Sequence, residues 1–349
     1  MKYRSSLFTV NQFLLFLLLL FTMLYLGRSF LIPIALGSLL AMLLVPICKK
    51  LEDWGLSRGL SAGISVLLTI VVIAGVFTVL INQIILVGED IGSLQDRLPT
   101  MLNSFYDYVS DSFALSREQQ EGYLKEQLKA AAGEITNFAT LIFSSLGLYL
   151  VNFVIVITYA VLLLLYRDRL KNFVIQVVRK RSSDNVEDAA DIVEKTTRVA
   201  SSYIAGVFLV VLILAITNTI TLYAIGLKHA LFFGLTAGIL NLIPYVGSLL
   251  GSLLPVVYAL LTQDSSSVVV MTGIYFIIIQ HVESYVLTPN IAGAKVDLSP
   301  LATIFALLLG SFIWGIAGMV VFVPILGIAK VVFDNVDVLK PYGYLIATR

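Results

Sequence analysis

Apolar and polar residues follow one another along this 349-residue chain in long blocks, not in the short periods of a soluble fold. Apolar runs near 8–26, 30–47, 60–87, 141–166, 203–226 and 268–287 have the length, about 17–25 residues, that crosses a bilayer as a helix. Two further runs, 230–262 and 299–333, are about 33–35 residues long, too long for one span and too short for two with a loop. Both are interrupted. The stretch ILNLIPYVGSLLGSLLPVVYALL (Ile239 to Leu261) holds Pro244, Gly247, Gly251 and Pro255, with Asn241 just upstream of Pro244. The second run holds Gly310, Gly315, Gly318 and Pro324. The pattern predicts an all-α polytopic membrane protein of about six spans plus two broken segments.

Proline and glycine disfavour an uninterrupted helix, and lipid offers no partner to the backbone groups they free. Non-helical backbone is tolerated at that depth inside protein or around a wet cavity. In transporters, two such breaks in matching positions of two halves surround a substrate or ion site near mid-membrane. Here residues 203–262 are one span followed by one broken segment, and 268–333 repeat the order. If both broken segments are re-entrant hairpins, the two units are inverted, loop 263–267 is external and loop 288–298 internal. Full crossings would exchange those loops. A single kinked helix is the competing reading, because Gly234-x-x-x-Gly238 and Gly247-x-x-x-Gly251 are small-residue faces for close helix packing.

Charge orients the spans. Residues 89–140 carry nine acids against Arg97, Arg117, Lys125 and Lys129, whereas 167–200 carry eight bases, among them Arg167, Arg169, Lys171 and the run Arg179-Lys180-Arg181. The positive-inside rule makes the first segment external and the second cytoplasmic, and Lys2, Arg4, Lys49, Lys50 and Arg58 agree. The expected organisation is N-terminal spans in 1–88, an external helical segment 89–140 and a span 141–166. A cytoplasmic amphipathic helix 167–202, a transport core 203–334 and a cytoplasmic tail 335–349 complete it. Ser116 with Gln119 is a candidate capping box in the external segment. The first run follows Lys2 and Arg4, but Gly27-Arg28-Ser29 is no small-residue cleavage site, so a retained span is expected in place of a signal peptide.

Composition adds exclusions. The chain is 58% hydrophobic and 13% charged, with a mean hydropathy of +0.95; a soluble domain is nearer a quarter charged. A net charge of +1 gives no reason to expect a nucleic-acid partner. The single Cys48 excludes an internal disulfide, and His229 and His281 make no metal-ligand set. Metalloprotease, serine-hydrolase and Walker A motifs are absent, so no enzyme activity and no cofactor are expected. No soluble segment could house a nucleotide-binding domain.

The candidate chemistry lies in QHVESYVLTPNIAGAKVDLSP, Gln280 to Pro300. Gln280, Glu283 and Ser284 share one helical face, and an ionisable residue within a span is a functional hypothesis by default. A hydrated interfacial carboxylate is the bland alternative for Glu283. Asn152, Asn218 and Asn241 are equally well read as interhelical glue, and only Asn241, beside the Pro244 break, rises above that.

With those residues in place the chain resembles the autoinducer-2 exporter family of bacterial permeases over nearly its whole length. The resemblance is carried by Tyr203-Ile204-Ala205-Gly206, Ile225-Gly226-Leu227 and Asn241-Leu242-Ile243-Pro244-Tyr245-Val246-Gly247 with Gly251 and Pro255. It continues in Gln280, Glu283, Pro289, Gly293, Val296-Asp297-Leu298-Ser299-Pro300, Gly310, Gly315, Gly318 and Pro324. Many members carry Gln after the glycine matching Gly206 and proline after I-P-Y-x-G; this chain has Val207 and Ser248. The resemblance implies transport, with members linked both to export of the signalling furanone and to cation/proton antiport.

Residues and resemblance together predict a secondary transporter of small polar solutes, autoinducer-2-like molecules among them, working by alternating access. A Na⁺/H⁺-type antiporter and a membrane scaffold using segment 89–140 are the alternatives. The expected pathway comprises Asn241, Pro244, Tyr245, Gly247, Gly251, Pro255, Gln280, Glu283, Ser284, Pro289, Asn290, Gly310, Gly315, Gly318 and Pro324. Expected partners are membrane lipid and a small polar solute, a monovalent cation or a proton, with a homo-oligomer left open. The expected location is the bacterial inner membrane, both termini cytoplasmic.

Overall fold

The computed structural model describes residues 2–113, 150–177, 186–263, 265–291, 298–336 and 339–348. Among them every regular element is helical. In chain order these are α1 (Lys2–Leu26), α2 (Arg28–Asp53), α3 (Arg58–Phe113), α4 (Leu150–Val177), α5 (Val186–Ile225), α6 (Ala230–Leu240) and α7 (Val246–Thr262). There follow α8 (Ser266–Val282) with a π-helical turn Glu283–Leu287, α9 (Thr288–Ile291), α10 (Pro300–Asn335) and α11 (Lys340–Ile346). Six stretches are long and apolar enough to cross a membrane: α2, α3 as far as Gly88, α4, α5 from Thr197, α8 with its π turn, and α10. The protein is an all-α, polytopic membrane protein. The expected capping box at Ser116 and Gln119 lies outside the described residues.

Both broken segments fold back. Gly315 interrupts α10 with φ 62° and ψ −139°, a conformation open only to a residue without Cβ. Across that turn the two arms touch: a Cβ built on Gly318 would stand 1.9 Å from the Gly310 carbonyl oxygen. In a straight helix those residues would be about 12 Å apart. The bases of the arms also meet, because Ser299 N donates to Ile346 O of α11 at 2.9 Å while Gly343 of α11 packs on Asp334. Ser299 caps the first arm by accepting from Ala302 N, and Pro300 follows where a missing N–H costs nothing. At the tip, Trp314 Nε1 donates to Leu24 O near the end of α1 at 2.9 Å.

The other hairpin is α6–α7, with arms of 11 and 17 residues, about 16 and 26 Å long. The small-residue faces foreseen as helix-packing surfaces serve it twice. Gly234 and Gly238 let α6 lie on Thr219 and Ala215 of α5, while Gly247 and Gly251 let α7 lie on Leu240 and Ala237 of α6. Such approach brings helix backbones into dispersion contact that side chains would block. The hairpin's open end meets α3 at Asp90; its tip points toward the arms of α10. The two hairpins therefore open toward opposite faces of the protein.

α4 runs on to Val177, and α5 is continuous from Val186 into its apolar part. On the face opposite Asp90, Arg167 of α4 pairs with Glu52 of α2, and Asp168 pairs with Arg58 of α3. These pairs tie the polar ends of three helices together.

Candidate transport site

The tip of the α6–α7 hairpin is built so that few backbone groups stay free. Helix α6 tightens at its end, with Leu242 N donating to Ile239 O and Ile243 N to Leu240 O, at 3.1 and 3.0 Å. Pro244 has no N–H to satisfy. Tyr245 takes φ 63° and ψ −54°, and Val246 N closes a γ-turn on Pro244 O at 2.7 Å, a strained form for a residue with a side chain. Gly247 N then returns to Ile243 O at 2.8 Å. The backbone of the break thus finds its hydrogen-bond partners within the turn itself, as a segment in an apolar surrounding requires.

The turn presents Asn241, whose Nδ2 donates to Glu283 Oε1 at 2.7 Å. Glu283 opens the π turn after α8, a feature frequent at functional sites. Gln280, Ser284 and Thr288 join it on the wall of a cavity of about 330 Å³. Tyr203, Ile204, Val207 and Phe208 of α5 form a second wall; Pro300, Thr303, Val320, Val323 and Pro324 of α10 form a third; and Leu242, Pro244, Tyr245 and Ser248 cover it from the hairpin tip. Asn241, Ser248, Gln280 and Glu283 also border a smaller void of about 20 Å³ on the side of Asn218, Gly251 and Ser252, room for about one water. The Asn241–Glu283 bond thus stands between the two spaces. The Asn241 side-chain oxygen, Oδ1, is buried with no hydrogen-bond partner among the described residues.

Of the residues singled out from sequence, Asn241, Pro244, Tyr245, Gln280, Glu283, Ser284 and Pro324 line the large cavity. Gly251 borders the small one, and Gly247 and Pro255 are buried in α7. Gly310, Gly315 and Gly318 make the turn and the close arm contact of α10. Asn290 is exposed and spends its amide on Val286 O at 2.7 Å. Pro289 lies in α9. Asn218 accepts from Tyr275 O–H at 2.7 Å, the interhelical-glue role. Both positions at which the chain departs from the family pattern, Val207 and Ser248, face the cavity.

A second polar cluster had no sequence signal. Asp90, two residues beyond the spanning part of α3, accepts from Tyr258 O–H of α7 at 2.6 Å and meets His229 Nε2 at 3.1 Å. His229 Nδ1 lies 3.3 Å from Gln83 Oε1, and Lys228 Nζ stands 3.9 Å from Asp90. The Tyr258 hydroxyl holds the Asp90 carboxyl below the usual carboxylate range; partial burial opposes it, and His229 and Lys228 add to the lowering. One carboxylate thus pins both arms of the α6–α7 hairpin to α3. Among the described residues no cluster of His, Cys, Asp and Glu could hold a metal ion.

Two broken hairpins around a cavity, with Glu283 at the end of a helix long and apolar enough to cross a membrane, fit the pattern of a membrane transporter. The model of the AI-2E family transporter matches residues 14–337, and the chain belongs to that family. It is 24% identical over 316 residues to "AI-2 transport protein TqsA" of Escherichia coli (strain K12), covering 88% of this chain and 87% of the relative. It is 26% identical over 314 residues to "Putative transport protein YrrI" of Bacillus subtilis (strain 168), covering 87% and 86%. Transport, and no enzymatic reaction, is the activity of this family.

Proposed function

We propose that the chain is a secondary transporter that carries a small polar solute by alternating access through the cavity between its two hairpins. One observation carries this reading: the tip of the first broken segment closes on an intramembrane carboxylate, Asn241 Nδ2 to Glu283 Oε1 at 2.7 Å, where the second broken segment also borders the cavity. A carboxylate at that depth is costly and is kept where it binds something. In the cycle, solute entering the cavity competes for Glu283, the Asn241 contact breaks, and the α6–α7 tip moves against α8 and α10. The name of the E. coli relative makes an autoinducer-2-like molecule one candidate solute.

Exchange of a monovalent cation for a proton is the second reading. Glu283 favours it, as the one charged side chain among the described residues lining the cavity. The charge asymmetry of the sequence supports an inner-membrane orientation with 89–140 outside, 167–200 and both termini inside. Reconstitution tests the function: purified protein in proteoliposomes should move polar solutes under an imposed gradient. Glu283→Gln should cut that flux by about tenfold or more with expression and assembly intact, and Glu283→Asp should keep part of it.

A further inference from the structure

We propose that the cavity takes small organic cations, a compact apolar body bearing a protonated primary amine, with the ammonium seated on Glu283. The inference rests on the transport reading and names its substrate class.

Beside Gln280, Ser284 and Thr288, which can donate or accept, the cavity lining holds groups that can only accept. Glu283 receives one protein donor, Asn241 Nδ2 on Oε1, which leaves its second oxygen without a donor among the described residues. Two lining hydroxyls have spent their protons on backbone carbonyls. Ser248 Oγ donates to Tyr245 O at 3.1 Å, and Thr303 Oγ1 donates to Ser299 O at 3.1 Å. Each therefore offers lone pairs. The Asn241 side-chain oxygen, Oδ1, is buried and has no donor among the described residues. An ammonium carries three donors and no acceptor, the complement of such a lining. A neutral alcohol brings a single donor and competes poorly for a carboxylate, and a carboxylate solute would be repelled.

Charge and shape agree. An ionised group held away from water needs a counter-charge, and the described lining contains no Lys, Arg or His. Tyr203, Phe208 and Tyr245 border the cavity, and aromatic rings attract cations. A volume of about 330 Å³ is at the small end of ligand pockets, about 300–1,000 Å³. A bare metal ion would leave the apolar wall of Ile204, Val207 and Val323 uncovered, whereas an organic body covers it.

Calorimetry on the purified full chain in detergent, with benzylammonium, benzyl alcohol and benzoate as probes, tests this. Benzylammonium should bind the parent about tenfold or more tighter than the alcohol, the scale of a hydrogen bond to a charged group, and benzoate should not bind. Glu283→Gln should lose that tenfold preference, and Glu283→Asp should keep part of it. The comparison of probes on the parent needs no variant to fold. Equal binding of alcohol and amine, or displacement of the amine by sodium at equal concentration, would overturn the proposal. Binding without flux in proteoliposomes would uphold the ligand class and refute only the transport cycle.

Discussion

Gly310 and Gly318 lie against one another across the turn of α10, so close that a Cβ on Gly318 would meet the Gly310 carbonyl oxygen at 1.9 Å. The contact makes the segment a hairpin, and both residues must be glycine for the arms to keep their distance. Gly318→Ala should destabilise the protein by about 1–3 kcal/mol, the cost of overpacking, measured as a lower melting temperature in detergent. Gly273, on α8 with open space at its Cβ position, is the control. Gly273→Ala should be neutral or slightly stabilising.

If both broken segments are hairpins, their flanks return to the side they left. In a Cys48→Ser background, single cysteines at Lys228 and Ser265 should label from one side of the membrane, and cysteines at Trp54 and Ala347 from the other. Labelling of Lys228 and Ser265 from opposite sides would make α6–α7 a full crossing and end the inverted-repeat account.

The Asp90 cluster has a pH signature. Because its carboxyl is held below the usual range, Asp90 adds stability above its ordinary titration near pH 4, lost as pH falls through the lower folded value. Asp90→Asn should cost about 1–2 kcal/mol at neutral pH, a charged hydrogen bond discounted for partial exposure. The parent-minus-variant difference in melting temperature should shrink as the pH drops below about 4. Tyr258→Phe should reproduce part of the loss. A difference that grows on acidification would contradict the assignment.

The spans, the two breaks and the shared face of Gln280, Glu283 and Ser284 were legible from local pattern, because period and composition are properties of neighbouring residues. Pairing was not. Asn241 and Glu283 were each singled out, yet nothing local shows that residues 42 positions apart meet in a hydrogen bond. Gly310, Gly315 and Gly318 were read as pathway residues, but they shape the α10 hairpin; a break in sequence does not reveal whether it lines a cavity or makes the turn that positions one. Gln83, Asp90, His229 and Tyr258 carried no pattern because three separate parts of the chain, α3, the α5–α6 link and α7, deliver them, and the left-handed His229, φ 55°, is a product of the tertiary fold. Tyr203 stood within the family resemblance and Ser248 was noted only as a departure, though both face the cavity.

The proposed function turns on Glu283. The most direct test is solute flux into proteoliposomes against pH, over about pH 5.5–8.5, for the parent, Glu283→Asp and Glu283→Gln at matched incorporation. A carboxylate that takes part in transport predicts a fall of about tenfold or more for Glu283→Gln at every pH, loss of the parent's pH dependence, and partial flux with Glu283→Asp. Flux of Glu283→Gln at the parent rate across that range would show the carboxylate to be a spectator and contradict the account.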